Sequence, residues 1–105
     1  MNEIQEAVLA GIKEEFSSES HYTFITDNNP IEVYVDDKFR GEIRVNTMDA
    51  TIEVWIPSNT GFSWTHDGKQ RPNCHPFKIL PLESPTCFDE LFRILYHILL
   101  ILICL

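Results

Sequence analysis

The pattern of apolar and polar positions changes its period twice along this chain, from about four residues to two and back again. Between Asn2 and Phe16 every fourth residue is apolar, while glutamates and a lysine occupy the opposite side. This spacing predicts an amphipathic helix that buries one stripe. The apolar positions of that stripe are Ile4, Val8, Ile12 and Phe16.

Alternating patterns in the middle of the chain predict four β-strands. Short polar turns separate them, which is typical of an antiparallel meander with one apolar face and one face toward water. The predicted strands are His21–Thr26, Ile31–Val35, Phe39–Val45 and Thr51–Ile56. In the third strand Phe39, Gly41, Ile43 and Val45 should face inward. The predicted outward charges, available for cross-strand ion pairs, are Glu32, Arg40, Glu42, Arg44 and Glu53.

The segment from Pro57 to Pro76 follows neither period. Its three prolines and two glycines predict a long loop. Phe77–Leu82 is predicted as a short edge strand that Pro81 interrupts. The last helix should begin near Thr86, which with Asp89 fits a variant of the capping box.

The C-terminal helix is amphipathic at its start and apolar on every side at its end. Its polar residues stop at His97, and no residue from Ile94 to Leu105 carries a formal charge. A helix that is apolar all round needs a core, a partner or lipid to cover it. A seam with heptad-like spacing is formed by Phe88, Leu91, Leu95, Ile98, Leu102 and Leu105. A second apolar row beside it is formed by Phe92, Tyr96, Leu99 and Ile103.

These elements predict one α+β domain that spans residues 1–105. Its order is an N-terminal helix, a four-stranded antiparallel meander, a long loop and a C-terminal apolar helix, arranged in two layers. This element order is similar to that of small acidic phage-encoded inhibitors, which is an analogy of architecture without a shared motif.

The net charge of −8 lies entirely in the first part of the chain. Residues 1–60 hold twelve acids and four bases, whereas residues 61–105 hold four of each. Affinity for nucleic acid comes mainly from Lys and Arg on phosphates, so direct binding of nucleic acid is disfavoured. A charged partner should therefore present a basic surface. The plainer interpretation is a solvated acidic face that keeps the protein soluble.

Cysteine usage and the N-terminus predict a cytoplasmic protein. Three cysteines cannot form a complete set of disulfides, and the acidic N-terminus does not have the basic start of a secretory signal. A reducing compartment is the usual setting for such a chain.

Candidate reaction and metal chemistry is weak throughout. Zinc sites need pairs of ligands at short fixed spacings, and the chain does not have them around its candidate ligands, His66, Cys74, His75 and Cys87. Neither Cys74 nor Cys87 has a glycine-rich turn that could form an oxyanion hole beside it. Glu42 and Glu53 could form a carboxylate pair across strands, but no Lys follows Glu53 where a nuclease of the restriction type requires one, and Asp36-Asp37-Lys38 is explained by a hairpin turn. We therefore predict no catalytic residue, no metal ligand and no cofactor.

Aromatic side chains are the strongest candidates for binding another protein. By alternation Tyr34 and Trp55 point to the wet face of the sheet, and Trp64 lies in the predicted loop. Such residues are favoured anchors at interfaces. The predicted partner-binding residues are Tyr34, Asp36, Asp37, Glu53, Trp55 and Trp64. In the alternative interpretation, the long loop folds over this face and covers its aromatics.

The favoured function is therefore a non-enzymatic interaction protein, acting as a homodimer through its C-terminal helix. The predicted self-association residues are Leu95, Leu99, Leu102 and Ile103. One alternative is an acidic inhibitor that mimics nucleic acid and blocks the basic surface of a nucleic-acid-binding protein. A second is attachment to a membrane by the tail. As a helix its twelve apolar residues span about 18 Å, which is short of a hydrocarbon core of roughly 30 Å.

Overall fold

The chain has an α+β fold, and its described residues form two helices and five strands. The structure, a computed structural model, describes residues 3–26, 30–64, 68 and 70–103, and for residues 59, 60, 63, 71 and 98–103 it describes the backbone alone. Asn2, where the predicted helix begins, and residues 27–29, between the first two predicted strands, lie outside the described residues. The elements are α1 (Glu3–Glu15), β1 (Tyr22–Ile25), β2 (Ile31–Val35), β3 (Lys38–Asn46), β4 (Thr51–Trp64), β5 (Gln70–Pro81) and α2 (Cys87–Ile103).

The sheet is an antiparallel meander with strand order β1-β2-β3-β4-β5. The predicted meander is confirmed, but the prediction of four strands is wrong because β5 adds a fifth along the whole of β4. The predicted edge segment Phe77–Leu82 forms the last part of β5, which ends one residue earlier, at Pro81. β5 is indeed an edge of the sheet.

The predicted long loop from Pro57 to Pro76 is also wrong. Most of it is a two-stranded ribbon, in which Ile56–Trp64 of β4 pairs with the first part of β5 and not with β3. Register shifts after Val54 and after Pro57 break the alternation that a sequence pattern would show. The prolines of β5 are tolerated because an edge strand has N–H groups that the sheet does not use. Among the described residues no third strand pairs with the ribbon, so the two-layer description does not extend to this part.

Both helices pack on the inner face of the sheet and complete one hydrophobic core. Val8 and Ile12 of α1, and Phe16 directly after it, are buried there as predicted, whereas Ile4 is exposed. Leu91 and Leu95 of α2 are fully buried. The hydrophobic residues that the sheet contributes to this core are Tyr22, Ile31, Val33, Val35, Ile43, Val45, Ile52, Val54 and Leu80.

α2 is rotated relative to the predicted seam at its first turn. Cys87 takes the buried position, while Phe88, predicted to begin the seam, is 37% exposed. Phe88 lies beside Gly11 of α1, where an added Cβ would approach the ring to 3.2 Å. Thr86 precedes the helix as predicted, and its carbonyl accepts a hydrogen bond from the Glu90 N–H at 2.9 Å.

The β2–β3 hairpin shows why two aspartates are adjacent in this chain. Asp36 and Asp37 have φ angles of 52° and 65°, and Val35 pairs with Lys38 across them. Positive φ at both central residues defines a type I′ turn, whose twist matches that of the flanking strands. The predicted turn is confirmed, and these carboxylates project from the end of the hairpin, where both residues are exposed.

A bulge in β3 changes which residues share a face. Val33 pairs with Gly41 and Tyr34 pairs with Phe39, so Arg40 has no residue opposite it. Phe39 therefore lies on the same face as Tyr34, and its predicted inward orientation is wrong. Gly41 is required beside the bulge, because its φ is 155° and a Cβ there would lie 2.5 Å from the carbonyl oxygen of Trp55.

Candidate functional site

The face of the sheet opposite the helices is the candidate functional surface. The core joins both helices to the inner face, and no helix among the described residues contributes to the other side. We call this other side the outer face. The strand registers place on it Ile25, Glu32, Tyr34, Phe39, Glu42, Arg44, Glu53, Trp55 and Ile79.

Four side chains from β3 and β4 form a continuous series of contacts at its centre. Arg44 lies over the ring of Trp55, with Cζ 3.7 Å from the ring centroid. The Nε of Arg44 donates to Oε1 of Glu42 at 2.9 Å, and Nη2 donates to the same oxygen. The Nε1 of Trp55 donates to Oε1 of Glu53 at 3.0 Å. We call Glu42, Arg44, Glu53 and Trp55 the central cluster.

Glu42 is predicted to face water, and it does lie on the outer face, but it is only 4% exposed. Burial of a carboxylate is costly unless a paired charge and hydrogen bonds compensate. The bonds from Arg44 supply both. The predicted cross-strand ion pairs are replaced here by a pair within one strand, since Glu42 and Arg44 are two residues apart on β3.

A second aromatic group lies beside the central cluster. Tyr34 and Phe39 are opposite each other, with ring centroids 5.7 Å apart. The hydroxyl of Tyr34 donates to Oε2 of Glu32 at 3.1 Å. The next two residues of the chain after Val35 are the exposed aspartates of the turn, so this end of the outer face is both aromatic and acidic.

Charge on the outer face is negative, and apolar residues border it. Glu32, Glu42 and Glu53 outnumber Arg44 among the positions defined above. Glu32 faces Glu42 directly across the β2–β3 pair. On the two edge strands, Ile25 and Ile79 are exposed large hydrophobic residues. The outer face therefore has an acidic, aromatic centre and an apolar margin.

The ribbon does not bury its own aromatics against this face. Phe62 and Trp64 are 64% and 72% exposed, and both lie on one side of the ribbon because they are two residues apart. The predicted alternative had this segment covering Tyr34 and Trp55. The rings of Phe62 and Trp64 do not provide that cover. Tyr34 and Trp55 are themselves half-buried.

The predicted self-association residues separate into two groups. Leu95 is a core residue, and its carbonyl accepts a hydrogen bond from the Tyr22 hydroxyl at 2.9 Å. Within one copy of the chain Leu95 is thus part of the core, and its predicted role in self-association stays a prediction. The side chains of Leu99, Leu102 and Ile103 lie outside the described residues.

Two protonatable groups near the helices have raised pKa values. Burial raises the pKa of Tyr22 to about 12, with smaller contributions from Glu19 and Tyr96. The pKa of the Cys87 thiol is raised by burial and then by Glu90. A nucleophilic cysteine needs its thiolate, so the surroundings of Cys87 work against the reactivity considered above.

The histidines and cysteines of the chain are not brought together where they are described. Cys74 and His75 are adjacent on β5, opposite Pro57 and Ile56, and adjacent strand residues point to opposite faces. Within the described ranges, no three His, Cys, Asp or Glu residues are close enough to share a metal ion. His66 lies outside those ranges.

Sequence reasoning found Tyr34, Trp55 and Glu53 on this face but not the roles of Glu42, Arg44 and Phe39. The alternation in FRGEIRV does place Glu42 and Arg44 on one face, next to a strand that carries Trp55. That pattern could have indicated the stacked pair. The position of Phe39 depends on the bulge, for which the sequence has no clear signal.

Comparison with known proteins adds no relative. No protein-family model matches this chain, and neither a curated protein nor a solved structure matches it. In the part of the chain that the structure describes, neither helix has the length and apolar character needed to cross a bilayer.

Proposed function

We propose that this chain is a small acidic, non-enzymatic interaction protein that binds a basic surface of another protein through the outer face of its sheet. The observation that carries this proposal is the central cluster. It holds an aromatic ring and three charged groups in a fixed arrangement on a face that the described helices leave uncovered.

A preorganised aromatic anchor supports binding for an entropic reason. Ordering a mobile side chain at an interface costs roughly 0.5–1.5 kcal/mol. Trp55 is already held by Arg44 and Glu53, so little of that cost remains. Trp and Arg are also the residue types most enriched at the centres of interfaces.

Charge determines which kind of partner fits this face. In a symmetric dimer formed through the outer face, the carboxylates of one copy would approach those of the other, and like charges in contact are unfavourable. A partner rich in Lys and Arg is complementary instead. Such a partner could be a nucleic-acid-binding protein, in which case the chain would act as an inhibitor and displace nucleic acid from it in a stoichiometric titration.

The test begins with capture of binding proteins by the immobilised chain, followed by kinetics with the purified partner. The variant Asp36→Asn, Asp37→Asn, Glu53→Gln removes three charges, and Asn keeps the positive φ that the turn requires. It should slow association several-fold at low salt. Near 1 M salt the effect should largely vanish, because the screening length is only about 3 Å.

A matched control removes three charges from the other layer of the molecule. Glu3, Glu6 and Glu14 of α1 are exposed, and their replacement by Gln should leave the association rate close to that of the wild type. Trp55→Ala should raise the dissociation rate at every salt concentration, since lost contact area is not screened. If neither the outer-face charges nor Trp55 affects binding, the partner uses another surface and the proposal is wrong.

A further inference from the structure

The two edge strands of the sheet differ in their protection against pairing with another chain. β5 carries Pro72, Pro76 and Pro81, and proline on an edge strand prevents such pairing. β1, which spans Tyr22–Ile25, contains neither proline nor a charged residue. β1 is therefore the edge at which a further strand can add.

The backbone of Phe24 offers its hydrogen-bonding groups at this edge. The Asp36 N–H donates to the His21 carbonyl at 2.8 Å, and in the same register Thr23 faces Tyr34. Bonded and non-bonded pairs alternate along an antiparallel ladder. Thr23 therefore bonds to β2, whereas the N–H and C=O of Phe24 point away from the sheet. Among the described residues no backbone group bonds to them.

α2 crosses the inner face of the sheet toward the same edge. It follows β5 and contacts it, and at Leu95 it receives the hydroxyl of Tyr22 from β1. Leu95 is the last α2 residue in the described core. The helical backbone then continues for eight residues to Ile103, which is about 12 Å. A straight helix that has reached the edge strand continues beyond it.

The composition of this continuation requires a cover. We call residues 98–103, whose helical backbone is described, the apolar extension, because every residue in it is Ile or Leu. Such a segment is unfavourable in water on all sides. Beside its start, Tyr96 is exposed and lies near Phe16 and Tyr22, with ring centroids 4.6 and 6.5 Å away. The edge thus carries an apolar surface as well as a strand.

We propose that a second copy of this chain binds at the β1 edge, with the two β1 strands antiparallel around a two-fold axis at Phe24. The N–H of each Phe24 donates to the carbonyl of Phe24 in the other copy. The apolar extension of each copy lies over the aromatic rings at the edge of the other. Paired strands are about 4.8 Å apart, so the helical backbone, which continues about 12 Å past Leu95, reaches the first strands of the second copy.

Charge and symmetry are the reasons for choosing a second copy as the occupant. A two-fold interface has to be self-complementary, and neither β1 nor the apolar extension carries a charge that would oppose its own image. Pairing of four-residue strands alone is small against the roughly 800 Å² per partner of a stable interface, and the extension supplies further area. The prolines on β5 end the assembly at two copies. This interface does not involve the central cluster on β3 and β4.

Amide hydrogen exchange tests the proposal without any substitution. At concentrations where sedimentation shows a dimer, the Phe24 N–H should exchange about tenfold more slowly, or slower still, than after dilution to monomer. The Thr23 N–H, which bonds to β2, is the internal control and should be protected at both concentrations.

A pair of variants tests the role of the extension. Leu99→Lys with Ile103→Lys should give a folded monomer in which Phe24 exchanges quickly. Thr47→Lys with Met48→Lys adds the same charge on the exposed β3–β4 loop, where Met48 is 96% exposed, and should remain a dimer. A wild-type protein that is monomeric from micromolar to millimolar concentration overturns the proposal. A dimer whose Phe24 amide exchanges as fast as in the monomer overturns it equally.

Discussion

Arg44 is the residue on which most of the outer face depends. It neutralises a buried carboxylate through two hydrogen bonds and also covers the ring of Trp55. Arginine suits both tasks because its planar guanidinium can stack on a ring while its N–H groups bond to an oxygen at its edge. A lysine would keep the charge but could not stack in the same way.

Replacing Arg44 should show how much Glu42 depends on it. Arg44→Met leaves the buried carboxylate without its partner and should lower the free energy of unfolding by about 2 kcal/mol, less than for a fully buried pair because Arg44 is partly exposed. The measurement is urea unfolding. The double variant Arg44→Met with Glu42→Leu replaces both partners and should recover most of the loss. Equal stability of the single and double variants would contradict this account.

At the scale of elements, one hydrogen bond ties β1 to α2. The Tyr22 hydroxyl donates to the Leu95 carbonyl. The rings of Tyr22 and Phe16, which directly follows α1, have their centroids 4.6 Å apart. Three elements that are distant in sequence therefore meet at one residue. The bond requires a neutral phenol, so the contact depends on pH.

The pH dependence of stability should carry the signature of Tyr22. Its pKa in the folded protein is about 12, against an ordinary value of 10.0. Between these values the unfolded chain loses the proton and the folded chain keeps it, so stability falls as the pH rises. This single group should cost about 2 kcal/mol across that window.

Tyr22→Phe isolates this contribution. At about pH 8 the variant should be less stable than the wild type by about 1 kcal/mol, because the hydrogen bond is lost. The difference should shrink as the pH rises above about 9 and reverse in sign before about pH 11.5, because the wild type loses about 2 kcal/mol and the variant has no phenol at this position to titrate. Urea unfolding across this range measures it, with Tyr34→Phe as the control on the outer face. A difference that stays constant with pH would show that the Tyr22 phenol titrates equally in both states.

At the scale of the whole molecule, the central cluster and the β1 edge are separate surfaces. The central cluster lies on β3 and β4 and is acidic, whereas β1 and the apolar extension have no charged side chain. Sites that share no contacts contribute to free energies almost independently. We therefore expect one molecule to engage a basic partner and a second copy at the same time.

Exchanging the variants between the two assays tests this separation. The outer-face variant Asp36→Asn, Asp37→Asn, Glu53→Gln should sediment as the wild type does. The variant Leu99→Lys with Ile103→Lys should keep the wild-type dissociation rate from a basic partner, since Trp55 is untouched. Loss of dimerisation in the first variant, or faster dissociation in the second, would show that the surfaces are coupled.

Local periodicity was sufficient for much of this fold. The stripe of α1, the alternation of β2 and the two-residue turn at Asp36-Asp37 are readable because each depends on residues that are neighbours in sequence. The burial of Val8, Ile12 and Leu91 followed from the same patterns. On the outer face, Tyr34 and Trp55 could be placed by counting alternate positions.

Only the tertiary structure decided the features that depend on distant residues. The ribbon exists because β5 pairs with β4 along its length, although bulges and prolines hide the alternation of both strands. Phe39 faces outward because of a bulge opposite β2, and Glu42 is buried because Arg44 and its neighbours enclose it. The sequence by itself determined the two helices, the first four strands as far as Ile56, and which side of most of them is apolar, since these are local properties. Register, bulges and enclosure are set by contacts between segments, so they were decided only when the segments packed together.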